Sequence, residues 1–235
     1  MRTLLRIIFR IFLRVVIIFA FLSMGGVILY RFVPVPLTPL MIIRLVEQNG
    51  TDKPFKLKKD WLSYDEIPND MKLAVIASED QQFFQHHGFD FDAIEKAYEQ
   101  NKKGKKIKGA STISQQTAKN VFLWPGRSYL RKGLEAYFTV LIELFWSKQR
   151  ILHVYLNVIE MGDGIYGTSA AAENYFRKPA SGLTRTECAL IAAVLPNPRR
   201  WSPANPSGYI QWKKQRIITR IQKMPTEVKN RIKKE

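Results

Sequence analysis

Sixteen consecutive residues, Val15 to Tyr30 (VVIIFAFLSMGGVILY), carry no charge, and few soluble folds can bury such a run at a chain end. Before it, arginine recurs every fourth position, at Arg2, Arg6, Arg10 and Arg14, between Leu, Ile and Phe. On a helix these four trace one slowly turning stripe. Sixteen helical residues rise about 24 Å at ~1.5 Å each, a little short of a ~30 Å hydrocarbon core. Arg14 can snorkel at one end, and Phe32 and Val33 can extend the other. The rival, a cleaved signal peptide, lacks its cleavage site, because no small-x-small pattern follows and FVPVPLTPL comes next. An uncleaved single-pass anchor is expected. The arginines then hold the N-terminus in the cytoplasm by the positive-inside rule, with the rest of the chain outside.

Of the 235 residues, about 200 remain for a body, enough for one domain with a full-sized core. The formal charge is +17, and residues 1–31 supply five of it as Arg2, Arg6, Arg10, Arg14 and Arg31 with no acid. The body is therefore itself cationic and should attract nucleic acid, anionic headgroups or a phosphorylated substrate. A single cysteine, Cys188, lies in the apolar run ECALIAAVL, so no intramolecular disulfide can form and a buried small hydrophobe is expected.

The expected organisation is an anchor over 1–33, a connector over 34–67 and a mainly α domain over 68–235 with a basic C-terminal tail. Pro34, Pro36 and Pro39 forbid a continuous helix through the connector, and KPFKLKKDWLSYDEIP reads as extended. A helix should start near Asn69 or Asp70, either of which could cap it, and carry Glu79 near its end. A short helix, Phe91 to Gln100, enters through Asp90 or Asp92. The lysine run 101–110 is either a solvated loop or a basic flap facing phosphate. Leu134 to Asn157 reads as the longest helix, from Leu134, Phe138, Leu141, Phe145, Leu152 and Leu156. A small-residue helix follows Gly162, Gly164 and Gly167, and another spans Thr186 to Leu195. No internal repeat and no convincing sheet is visible.

Three constellations carry chemistry. In Ser78 to Asp90 (SEDQQFFQHHGFD), Glu79 and Asp80 follow the apolar run LAVIA. A carboxylate there is costly unless something uses or satisfies it; a capping or ion-paired role is the bland reading. His86 and His87 are adjacent, point in different directions on any regular element, and make a zinc site improbable. In GASTISQQTAKN (109–120), Thr112 and Gln115 form a capping-box pattern, and the helix start offers N–H groups and hydroxyls to an anion. Gln115 shares a face with Lys119, and Gln116 with Asn120. In RSYLRKGLE (127–135), Arg131 and Glu135 are i, i+4 neighbours with Lys132 beside them, a surface ion pair in isolation.

Together, E-D-x-x-F-x-x-H-x-G, G-A-S-T-I-S-Q-Q, R-K-x-x-E and I-L-x-x-Y-L-N (151–157) resemble, in order and spacing, the signature of glycosyltransferase family 51, the peptidoglycan glycosyltransferases that polymerise lipid II. The resemblance runs from about Pro68 to Pro203. The residues left over cannot hold a transpeptidase domain, so the monofunctional members fit best. His153 and Ala110 depart from the common pattern, where an acid and a glycine are frequent.

The resemblance implies a lysozyme-like helical domain and a sugar 4-hydroxyl attacking an anomeric carbon that bears a lipid diphosphate, with inversion, to extend a β-1,4 glycan strand. Glu79 would take the hydroxyl proton, supported by Asp80, Phe83, His86 and Gly88. Lys119, Arg127, Arg131 and Lys132 would stabilise the leaving diphosphate, and Glu135 would orient these cations or assist at the anomeric centre. Ser111, Thr112, Gln115, Gln116 and Asn120 complete the implied substrate site. No organic cofactor is implied; a divalent cation, magnesium or manganese, is allowed. Implied partners are lipid II, the growing glycan, membrane lipids and other cell-wall synthesis proteins, not nucleic acid, and the implied place is the cell inner membrane with the catalytic domain periplasmic. A lysozyme-like hydrolase is the nearest rival, but it needs two carboxylates and no cation cluster. A polyanion binder would show base-stacking aromatics among its Lys and Arg. A silent cell-wall scaffold is the remaining alternative.

Overall fold

The computed structural model describes residues 2–49, 55–102, 110–126 and 128–233. The chain opens with α1 (Arg2–Phe32), which is long and apolar enough to cross a membrane, with mean hydropathy 2.5 over an 18-residue stretch within Leu4–Phe32. Its phenylalanines, leucines and isoleucines are mostly exposed, an arrangement that water penalises and lipid does not. After Pro34 and Pro36, the connector holds a short helix that the sequence reading did not name, α2 (Pro39–Gln48). Pro39 occupies its first turn, where a missing N–H costs nothing, and Thr38 caps it by accepting Met41 N–H at 3.3 Å. The strand β1 (Lys58–Lys59) follows.

The body is mainly helical. Helix α3 (Asn69–Glu79) is capped by neither Asn69 nor Asp70. Pro68 precedes it instead, its carbonyl accepting Met71 N–H at 2.9 Å and Lys72 N–H at 3.2 Å. Helix α4 (Phe91–Lys102) is entered through Asp90, whose carboxylate accepts Ala93 N–H at 2.8 Å. The lysine run beyond it, at 103–109, lies outside the described residues. Helix α5 (Ile113–Phe122) closes the expected capping box: Thr112 accepts Gln115 N–H, and Gln115 Oε1 accepts Thr112 N–H.

The long helix expected over 134–157 is two helices, α6 (Tyr129–Phe145) and α7 (Lys148–Val158). Trp146 turns extended between them, its indole N–H donating to Val27 O at 2.8 Å, and Ser147 caps α7 by accepting Arg150 N–H at 3.1 Å. Apolar spacing continued across the break, so periodicity could not reveal it.

The expectation of no sheet is also corrected. Strands β2 (Glu160–Gly162) and β3 (Ile165–Tyr166) form a three-stranded sheet in the order β1-β3-β2, with β1 parallel and β2 antiparallel to β3. Strands of two or three residues are too short to show alternation. The chain ends through α8 (Gly167–Phe176), α9 (Arg185–Val194), α10 (Gly208–Lys223) and α11 (Thr226–Arg231). Cys188 is buried on α9, as expected, and burial pushes its thiol up to about 12.

Two packed groups flank the acid-bearing stretch. Helix α3 lies against α9 and α10, while α5 lies against α6 and α7. The apolar run Leu73–Ala77 is buried between its neighbours, which brings the C-terminal end of α3 out beside α5. On the outer side, α1 packs on α6. Ser23 Oγ and the Tyr137 hydroxyl lie 2.7 Å apart, Phe19 meets Tyr137 and Phe138, and Val27 is fully buried. Arg150 donates to Tyr30 O, closing the helix end.

The extended segment before α3 is pinned by α7. Asn157, 1% exposed, accepts Leu62 N–H at 2.8 Å and donates to Leu62 O at 3.1 Å. His153, the departure from the family pattern, donates to the same carbonyl at 2.8 Å. Asn157→Ala removes both hydrogen bonds and leaves a half-buried peptide unit short of partners. A loss of about 1–3 kcal/mol is expected, read as a lower urea midpoint with unchanged slope; an unchanged midpoint would contradict the clamp.

Candidate active site

Glu79 is the last residue of α3, half-buried at the seam between the two helical groups. Its Oε2 accepts the Gln116 side-chain N–H at 3.1 Å, and Ser78 Oγ lies 3.0 Å from its Oε1. The carboxylate that the apolar approach made costly is thus satisfied by neutral donors, with no cation in direct contact among the described residues.

Asp80 serves the fold. Its carboxylate accepts His86 Nε2–H and the N–H of Ile113, each at 3.0 Å, so it ties the end of α3 to the start of α5. Gly88 N–H donates to His86 Nδ1 at 3.1 Å, which places the ring proton on Nε2. Gly88 has φ +93°, and a Cβ there would sit 2.8 Å from Thr139 Cγ2, so only glycine suits the turn. Its carbonyl accepts the Thr112 hydroxyl at 2.6 Å. Phe83 is fully buried, with the Lys148 ammonium 4.7 Å above its ring. Lys148 and Ser114 in turn both donate to Glu143. The first motif is one cross-braced turn with Glu79 at its open end.

A cleft of about 280 Å³ opens on that end, lined by Glu79, Asp80, Gln81, Gln82, Asp90, Ala93, Ala110, Ser111 and Thr112. Of the residues expected to face substrate from the second motif, Ser111 is exposed there and Lys119 faces the acids. The others make local contacts. Thr112 and Gln115 are buried and engaged in their capping box, and Asn120 is buried with its amide on Gln116 O. Gln116 is directed at Glu79 itself.

The third motif is not a surface ion pair. Glu135 is 3% exposed and Arg131 8%, and Arg131 donates to Glu135 Oε2 at 2.7 Å while Lys132 holds Oε1. With both oxygens engaged, Glu135 orients the cations. Arg131 Nε is buried without a hydrogen-bond partner among the described residues, a donor that an anion could satisfy. Arg131 and Lys132, with Ser128 and Tyr129, line a second cleft of about 410 Å³. Arg127 lies outside the described residues.

Lys119 interacts with Glu79 and with the Arg131–Glu135 cluster. Burial pulls its ammonium below the usual lysine range, Glu135 pushes it back up, Arg131 and Lys132 lower it, and Glu79 raises it. Both acids and the cation pair therefore act on one side chain. Among the described residues no group of three or more His, Cys, Asp or Glu side chains could hold a metal ion.

The sequence reading missed Lys213. Its ammonium donates to Ala193 O at 3.0 Å, and burial lowers its pKa while Glu79 raises it. The tail read only as basic, and Lys213 shares the inward face of α10 with the buried Ile210 and Ile217, three and four positions away. Tyr155 was also passed over; it is fully buried and donates to Gln116 Oε1 at 3.1 Å.

Residues 47–224 match the family model described as Transglycosylase. The chain is 55% identical over 208 residues to a protein of Bdellovibrio bacteriovorus named biosynthetic peptidoglycan transglycosylase, covering 88% of this chain and 83% of that one. Proteins with the same name from Bacteroides thetaiotaomicron and Caulobacter vibrioides are each 55% identical, over 214 and 192 residues, covering 90% and 82% of this chain and 86% and 81% of theirs.

The buried pair yields a stability test. Arg131→Met leaves Glu135 buried with Lys132 alone and should cost about 3 kcal/mol, whereas Arg131→Met with Glu135→Leu should recover most of it. Chemical denaturation of both variants checks this, and equal losses in the two would count against a buried pair.

Proposed function

The chain belongs to the transglycosylase family and is a peptidoglycan glycosyltransferase, and from that premise we propose that it polymerises lipid II with Glu79 as the base. The 4-hydroxyl of one sugar is a weak nucleophile. In this reading it gives its proton to Glu79 as its oxygen bonds to the anomeric carbon of the next sugar. The bond from that carbon to the diphosphate breaks, the electron pair leaves with the lipid diphosphate, and the sugar inverts. A placed carboxylate supplies about 10²–10⁴ in rate.

The departing diphosphate needs positive charge rather than a proton. Arg131, Lys132 and Lys119 are the groups we assign to it, with Arg127 from the motif and Ser111 at the mouth of the cleft. The observation that carries the proposal is the Arg131–Glu135–Lys132 cluster, with Lys119 interacting electrostatically with it and with Glu79. The partnerless Arg131 Nε supports it as a donor suited to a phosphate oxygen. A hydrolase would need Glu135 or Glu79 to protonate a leaving alkoxide, and both oxygens of Glu135 are already held by cations. Nothing favours a scaffold.

A divalent cation, magnesium or manganese, remains part of the proposal, with diphosphate oxygens supplying most of its ligands. We also place α1 in the inner membrane with the body on the periplasmic side, where the growing glycan and other cell-wall synthesis proteins would meet it. The four arginines before the charge-free run support that orientation.

Glu79→Gln keeps the shape and the hydrogen bonding of the site but cannot accept the proton. It should bind lipid II with wild-type affinity and polymerise at least ~10²-fold more slowly; normal strand synthesis by this variant would refute the role. Because burial lowers the Lys119 pKa, its charge is lost as pH rises at a point below the 10.5 of an ordinary lysine. Polymerisation should therefore fall on the alkaline side, and Lys119→Arg, which keeps its charge, should move that limb to higher pH in a kcat/KM profile. An identical limb in both proteins would remove Lys119 from the diphosphate site.

A further inference from the structure

A glutamine side chain can present either its oxygen or its N–H groups in nearly the same space. Gln116 has one neighbour on each side: Glu79 Oε2, 3.1 Å from its Nε2, and the Tyr155 hydroxyl, 3.1 Å from its Oε1. Gln116 is the sole hydrogen-bond partner of that hydroxyl among the described residues, and the phenol is fully buried on α7. Were the amide turned over, its oxygen would face a carboxylate oxygen and the phenol would lose its acceptor. Both changes are unfavourable in a buried site.

We propose that Tyr155 is a positioning residue for the base: by donating to Gln116 Oε1 it fixes the amide so that Gln116 Nε2–H holds Glu79 Oε2. This rests on the reading of Glu79 as base and adds how that base is aimed. With Oε2 anchored by the amide, Oε1 is the oxygen that takes the hydroxyl proton, its one neighbour Ser78 having Ala192 O as a second acceptor. Burial raises the Tyr155 pKa well above the ordinary tyrosine value, so the phenol keeps its proton across the working range. The arrangement also accounts for the tyrosine of I-L-x-x-Y-L-N, which reaches no cleft and touches the chemistry only through Gln116.

Tyr155→Phe deletes one oxygen and leaves the ring in place. With the amide free to turn, Gln116 no longer presents one fixed N–H to Glu79. Nitrogen-15 NMR of the Gln116 side-chain amide in the full chain, assigned by its loss in Gln116→Ala, should show its two N–H signals shifted and broadened in Tyr155→Phe. This readout needs no turnover, so it stands even if the wild-type chain makes no polymer and the polymerase reading fails. In turnover, kcat should fall about tenfold with KM unchanged, and in a Gln116→Ala background Tyr155→Phe should have no further effect. A Gln116 amide signal unmoved by Tyr155→Phe would overturn the proposal, and so would an undiminished effect in the Gln116→Ala background.

Discussion

The carboxylate of Asp80 is the interaction on which the site's geometry depends. It holds the first peptide N–H of α5 and the imidazole of His86 together, and so fixes two elements joined besides by apolar contact and by the Gln116–Glu79 hydrogen bond. Helix α3 brings Glu79 to the seam; α5 brings Gln116 and Lys119. An apolar interface sets how far apart two helices lie but tolerates sliding, whereas a carboxylate held by two directed donors does not. The Gly88 turn and the Thr112 hydroxyl lock the loop from the other side. One acid of the adjacent pair is thus structural, which leaves the other for chemistry.

Helix α6 ties this site to α1. One face carries Arg131 and Glu135, and another receives Phe19 and Ser23 of α1 through Tyr137 and Phe138. Val140 and Leu144 on the same helix are exposed apolar side chains beside that contact. The cations are therefore held at a fixed offset from the apolar helix rather than on a flexible tether. A lipid-linked diphosphate has its charge a short way from its hydrocarbon, and a rigid joint between cation cluster and apolar helix matches that chemistry.

Much of this was legible in the sequence because it rests on local pattern. The charge-free run, the Thr112–Gln115 box and the Arg131–Glu135 spacing each translate directly into geometry. What could not be read depended on partners far along the chain. Trp146 breaks a helix to reach Val27, 119 residues away, while apolar spacing runs on undisturbed. Asn120 looked like part of a polar face for substrate until burial showed its amide on Gln116 O. Lys213 was hidden in a basic tail, since charge counting cannot tell a buried lysine from a solvated one. The two- and three-residue strands held no period to detect.

The central claim is that one half-buried carboxylate and a neighbouring cation cluster serve sugar transfer rather than sugar cleavage. It is tested most directly by giving the purified full chain lipid II in vesicles and separating the products by size. The account predicts long glycan strands with release of lipid diphosphate and little free disaccharide. Free disaccharide alone, scission of pre-formed glycan, or lipid II left intact would contradict it.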